Sequence, residues 1–164
     1  MRDDLQYDDV RGNVDTRLRK LKDGEYDAIV LAMAGLVRLR ARATHTVPFA
    51  VEELVPAAAQ GALAIEMRAE ESDLAHDLRA AVNDDESERC IVAERAALRT
   101  LRAGCNAPIG IHARYEGDVM HVALRSYVGD RLQVSLESEP VTSLEEAEAL
   151  GARAARGILE EGTA

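Results

Sequence analysis

The residues best placed to do chemistry gather in one short stretch, Arg102-Ala103-Gly104-Cys105-Asn106-Ala107-Pro108-Ile109-Gly110. A cysteine between Gly104 and Asn106 has no bulky neighbour to cover it, and a thiol on a turn can be reached by a small molecule. The same residue types also suit a turn without function, and the local sequence leaves both readings open. A second candidate is a set of arginines. Arg11-Gly12-Asn13-Val14-Asp15-Thr16-Arg17-Leu18 reads as a turn feeding a helix, with Asn13 as the N-cap. A helix start offers unpaired N–H groups and the positive end of the helix dipole, so it attracts anions. Arg11 before the cap and Arg17 one turn in could add bidentate clamps for a carboxylate. Arg38, beyond a short strand and a Gly35 turn, could face the same crevice. Ordinary exposed arginines on a surface helix are the alternative.

The remaining titratable residues carry less. The histidines at positions 45, 76, 112 and 121 show no metal spacing, and His112 and His121 read as a cross-strand surface pair. Cys90 falls on the apolar face of a helix, where it reads as a small core residue. Glu70-Glu71 and Asp84-Asp85-Glu86 read as solvated caps. No CxxC, Cys/His cluster, paired carboxylates, Ser/His/Asp arrangement or phosphate-cradling glycine loop stands out.

The elements that must position these groups follow from periodicity. A helix opens at Asn13, with Leu18 and Leu21 beginning its apolar face, and Gly24 stops it. Tyr26-Asp27-Ala28-Ile29-Val30-Leu31-Ala32 has the pattern of a strand covered on both faces, and residues 34–39 turn back into helix. That is one slice of an α/β layer whose parallel partners are not in this sequence. Residues 62–68 read as a further strand, and residues 72–82 as a short helix with Leu74, Leu78 and Ala81 on one face. From Asp84 a helix runs to Leu101 with Cys90, Ala93, Ala97 and Leu101 on one side, and Gly104 sits where a C-cap glycine belongs. Strands over 109–115, 119–126 and 131–136 follow, joined by turns at 116–118 and 128–130. Ser143-Leu144-Glu145-Glu146 is a capping box opening a helix to about Leu159. Residues 84–162 therefore read as a self-sufficient α+β unit.

Composition sets the bounds. A chain of 164 residues, 47% apolar, buries one sizeable core or two small ones. No apolar run approaches the ~18 residues of a membrane span, and the acidic start lacks the apolar stretch of a signal peptide. With two cysteines and no disulfide framework, a reducing cytoplasm is the expected location. A formal net charge of −10 argues against a nucleic-acid partner.

Four ordered blocks resemble porphobilinogen deaminase (hydroxymethylbilane synthase). They are residues 11–18, residues 24–36, Val55-Pro56-Ala57-Ala58-Ala59-Gln60-Gly61-Ala62-Leu63-Ala64-Ile65-Glu66, and Glu94-Arg95 through Gly104-Cys105-Asn106-Ala107-Pro108-Ile109-Gly110. The resemblance implies a transferase of haem and tetrapyrrole biosynthesis that joins four porphobilinogen molecules head to tail, releases ammonia and yields hydroxymethylbilane. It implies a dipyrromethane cofactor held by a thioether to Cys105, with Arg11, Arg17 and Arg38 binding acetate and propionate groups. The implied architecture is part of a periplasmic-binding-protein-like α/β domain followed by an α+β C-terminal domain, whose three-stranded antiparallel sheet is packed by helices. Residues 1–55 would be the second half of the family's domain 2, 56–82 the segment returning to domain 1, and 84–164 the cofactor-attachment domain. The family's catalytic aspartate maps to no residue here, so the chain alone is expected to be inactive and a separate N-terminal half is an expected partner. Two rival readings remain open: a non-catalytic anion- or tetrapyrrole-binding module, and an α+β interaction domain that docks onto such a half.

Overall fold

A computed structural model describes residues 4–104, 107–128 and 131–161. The chain divides into two compact units, Met1–Pro48 and Phe49–Ala164. No helix among the described residues is long and apolar enough to cross a membrane.

The first unit holds helices α1 (Val14–Lys22) and α2 (Met33–Arg38). Asn13 caps α1 as expected, its Oδ1 accepting the Thr16 N–H at 2.9 Å. Gly24, at φ +79°, follows the helix end. The strand expected at 26–32 is not formed, and Val30 in its middle is 63% exposed. A strand needs ladder partners for its backbone, and none exists for this one among the described residues.

In the second unit, α3 (Ser72–Val82) and α4 (Asp85–Leu101) precede strands β1 (Ile109–Glu116), β2 (Val119–Val128) and β3 (Arg131–Pro140), and α5 (Leu144–Glu161) closes the chain. The strands form one antiparallel sheet in the order β1-β2-β3. Register places Ile111 opposite Leu124 and Ala113 opposite Val122, so these four share the face covered by α4 and α5. Their core is completed by Met120, Val141, Leu150, Ile158 and a set of alanines on the two helices. Burying such aliphatic side chains is the main stabilising term of the unit.

On β3 the alternation runs the other way. Leu132, Val134 and Leu136 lie on the open face of the sheet, with Leu136 72% exposed. The helix-facing positions carry Gln133, Ser135, Glu137 and Glu139, which engage α5: Gln133 Nε2 donates to Ile158 O at 3.2 Å, and Arg153 pairs with Glu137 and Glu139. These polar ties carry β3 on to Pro140, four residues past the point where apolar alternation ends.

Three local expectations are corrected. Residues 62–68 form no strand, and Leu63 is 82% exposed. The left-handed residue at the end of α4 is Arg102 (φ 52°), which already turns the chain before Gly104 is reached. His112 and His121 are not opposite one another, because the register sets His112 against Ala123 and His121 against Arg114. His121 instead meets Ser138 Oγ through Nδ1 at 2.7 Å.

Carboxylates cap both α4 and α5. Asp84 accepts from Ser87 N at 2.7 Å. The Ser143/Glu146 capping box is complete, with Glu146 also accepting from Thr142 N at 2.7 Å. Hydrogen bonding to Ser87 and to the Thr142 backbone holds Asp84 and Glu146 below the ordinary carboxyl range, and Arg79 does the same for Glu88. A folded value below the unfolded one stabilises in full above the unfolded pKa and is lost as pH falls through the folded value. Thermal melts are therefore expected to drop as pH falls below the ordinary glutamate value of 4.5, and Glu146→Gln to flatten that drop.

Candidate functional site

Chemistry-bearing residues lie in both units. In the first, Gly12 at φ +119° precedes the cap, and a Cβ there would stand 2.8 Å from Thr16 Cγ2, so only glycine fits this entry to α1. Arg17, one turn in, folds back and donates from Nε to Gly12 O at 2.7 Å. Gly35 lets α2 approach Val14 on the first turn of α1, where an added Cβ would meet Val14 Cγ2 at 3.4 Å. Arg38 lies three residues beyond Gly35 at the end of α2. Arg11 and Arg38 are exposed, with no side-chain hydrogen bond or ion pair to another described residue. Asp15 in the first turn partly offsets the positive end of α1.

In the second unit, the described residues on either side of Cys105 are held by backbone hydrogen bonds. Cys105 and Asn106 lie outside the described residues. On one side α4 ends at Arg102, whose N–H bonds back to Arg99 O, and Ala103 N donates to Leu98 O at 3.2 Å. On the other, Tyr127 N donates to Pro108 O at 3.1 Å and Ile111 N to Pro56 O at 2.8 Å. Ala107 N donates to Gly104 O at 3.0 Å, drawing the two described flanks together. A Cβ on Gly104 would have nothing within 4 Å among the described residues.

Cys90 is a different kind of thiol. It is half-buried on α4, and burial, then Glu94 and Glu86, push it up to about 11. It is protonated at neutral pH and a poor nucleophile, in keeping with its reading as a core residue. No group of described residues could hold a metal ion.

A groove between the extended residues 63–67 and α3 is lined by Leu63, Ile65, Met67, Ala75, Leu78 and Val82. Its Arg79 is paired with Glu88, at 2.5 Å. This apolar trough offers no acid, base or nucleophile.

Glu94 is a buried polar residue that periodicity assigns to no site. It is 6% exposed on the apolar face of α4, with both carboxyl oxygens occupied by backbone donors. The signal was present: a charged residue one position after Ala93 and three before Ala97, in the midst of an apolar helix face.

Comparison with known proteins bears on both places. The family model described as porphobilinogen deaminase, dipyromethane cofactor binding domain, matches residues 1–76, and that described as porphobilinogen deaminase, C-terminal domain, matches residues 88–160. The chain belongs to the porphobilinogen deaminase family. Curated relatives named porphobilinogen deaminase include one from Xanthomonas campestris pv. campestris (strain B100), 43% identical over 164 residues. Others come from Chlorobaculum tepidum, 41% identical over 166 residues, and Chloroherpeton thalassium, 39% identical over 156 residues. The alignments cover 99%, 99% and 92% of this chain but 53%, 52% and 49% of those proteins. The chain thus spans about half the length of the porphobilinogen deaminases it matches.

Proposed function

We propose that the chain is part of a hydroxymethylbilane synthase, the transferase that joins four porphobilinogen molecules head to tail with release of ammonia, and that Cys105 tethers its dipyrromethane primer. The observation that carries this reading is that the two family matches run, in the family's order, through the arginine-bearing start of α1 and through the stretch from α4 to β1.

The residues present fit such a group. Among the described residues nothing lies within 4 Å of a Cβ on Gly104, and Cys90 is too buried and too weakly acidic to compete as the attachment point. When bound, the primer supplies the pyrrole end that incoming porphobilinogen units extend. Arg11, Arg17 and Arg38 would hold acetate and propionate groups. Arg17 has its Nε committed to Gly12 O and would grip through its two terminal nitrogens.

The same reading accounts for the unpartnered segments. Residues 1–55 would be the second half of a periplasmic-binding-protein-like domain, 56–82 the segment returning to the first domain, and 84–164 the cofactor-attachment domain. Val30, Leu63 and Ile65 are all 60% exposed or more, as expected of strands whose sheet partners come from a separate N-terminal half. Porphobilinogen is the small-molecule substrate, and the cytoplasm the expected site of action.

Intact mass tests the tether. The purified protein should carry a dipyrromethane-sized increment that disappears in Cys105→Ser and persists in Cys90→Ser. A wild-type mass equal to the bare chain would remove the tether.

A further inference from the structure

Glu94 holds three separate pieces of the chain. Its Oε1 accepts the Ala113 N–H of β1 at 2.8 Å, and its Oε2 accepts the Ala59 N–H of the 57–61 turn at 2.5 Å. The carboxylate is almost fully buried, and a methionine or leucine would fill the same space without needing two donors. Burial of this group is therefore informative about what it ties together.

Ala59 supplies an independent observation. It adopts φ +58°, left-handed backbone that a residue with a Cβ enters at a cost, and such strain persists where the surroundings over-determine it. The Glu94 bond is made to the N–H of that strained residue. Beside it, the chain is seated along the start of β1: Ile111 N donates to Pro56 O, and a Cβ on Gly110 would stand 2.4 Å from Val55 O. The stretch bearing Cys105 leaves α4, which carries Glu94, and enters β1, which Glu94 grips.

We propose that Glu94 is a positioning residue: its buried carboxylate locks the strained 57–59 turn and β1 onto α4, and so holds β1, the strand that follows Cys105 in sequence, against residues 55–61. Its purpose rests on the reading of Cys105 as the tether, but the lock itself is measurable without a loaded cofactor.

Amide hydrogen exchange of the full chain, read by mass spectrometry, tests it. Glu94→Gln keeps the shape but presents an N–H₂ to one of the two donors. Exchange should quicken about tenfold in peptides covering 55–61 and 103–113, the scale expected for losing a hydrogen bond to a charged group. Peptides from α5 should change less than about twofold. Adding Ala59→Gly, which removes the left-handed strain, should restore much of the protection over 55–61. A uniform rise that includes α5, or no rescue by Ala59→Gly, would show Glu94 to be an ordinary core residue and overturn the proposal. Should Glu94→Gln not fold, Glu94→Asp, which keeps the charge one methylene short, is read by the same criteria. An absent mass increment at Cys105 refutes the tether and leaves the lock standing; uniform exchange does the reverse.

Discussion

Gly151→Ala is expected to cost the C-terminal unit about 3 kcal/mol or more and to lower its melting temperature by roughly 15 °C. Helices α4 and α5 cross with almost nothing between their backbones: a Cβ on Gly151 would fall 1.9 Å from Ala93 O and 2.6 Å from Ala93 C. The obstacle is backbone, so no side chain can swing aside and the helices must separate. Separation would open the core built from Ala93, Ala97, Ala147, Ala154 and Ala155, whose short side chains reach across only at close approach. Gly61→Ala is the control, since a Cβ there would meet nothing within 4 Å among the described residues. Its melting temperature should stay within a few degrees of wild type. A Gly151→Ala protein that melts with the control would show that the helices do not cross at this distance.

The second large effect concerns turnover. A polypeptide of residues 1–164 alone is expected to consume porphobilinogen at least about 10²-fold more slowly than the same polypeptide supplemented with the family's N-terminal half, the scale of losing one preorganised electrostatic group. The resemblance assigns stabilisation of the developing pyrrole cation to an aspartate that it maps to no residue of this chain. The arginines and the tether would bind and orient, which leaves the charge of the transition state uncompensated. Ammonia release measured with and without the added half gives the ratio, and comparable rates in the two samples would overturn the expectation. Protection of peptides containing Val30 and Leu63 from amide exchange on adding that half would show that these exposed residues are covered by it.

Much of the C-terminal unit was legible in the sequence because its signals are local. The Ser143/Glu146 box and the Asp84 and Asn13 caps need only residues three positions apart, and each forms the bond its spacing implies. Period-two alternation likewise located β1 and the first part of β3, and the turn at 116–118 placed β2 between them. Family membership was legible in ordered blocks of residues, which survive without knowledge of any contact.

Tertiary structure decided what depends on partners distant in sequence. Whether 26–32 and 62–68 become strands turns on which edges lie beside them, and among the described residues they have none. The apolar alternation of β3 located the strand but not its facing. Register against β2 and the polar demands of α5 turned Leu136 outward and Glu137 inward. A charge on the apolar face of α4 marked Glu94 as unusual, but not what it holds, because its donors lie 35 and 19 residues away, at Ala59 and Ala113. Sequence by itself determined the family, the caps and the candidate residues Cys105, Arg11, Arg17 and Arg38, because those follow from residue type and short spacing. Only the folded chain decided which backbone is strained, which carboxylate holds it and which apolar faces stay open, because each is a property of close packing between segments that meet only on folding.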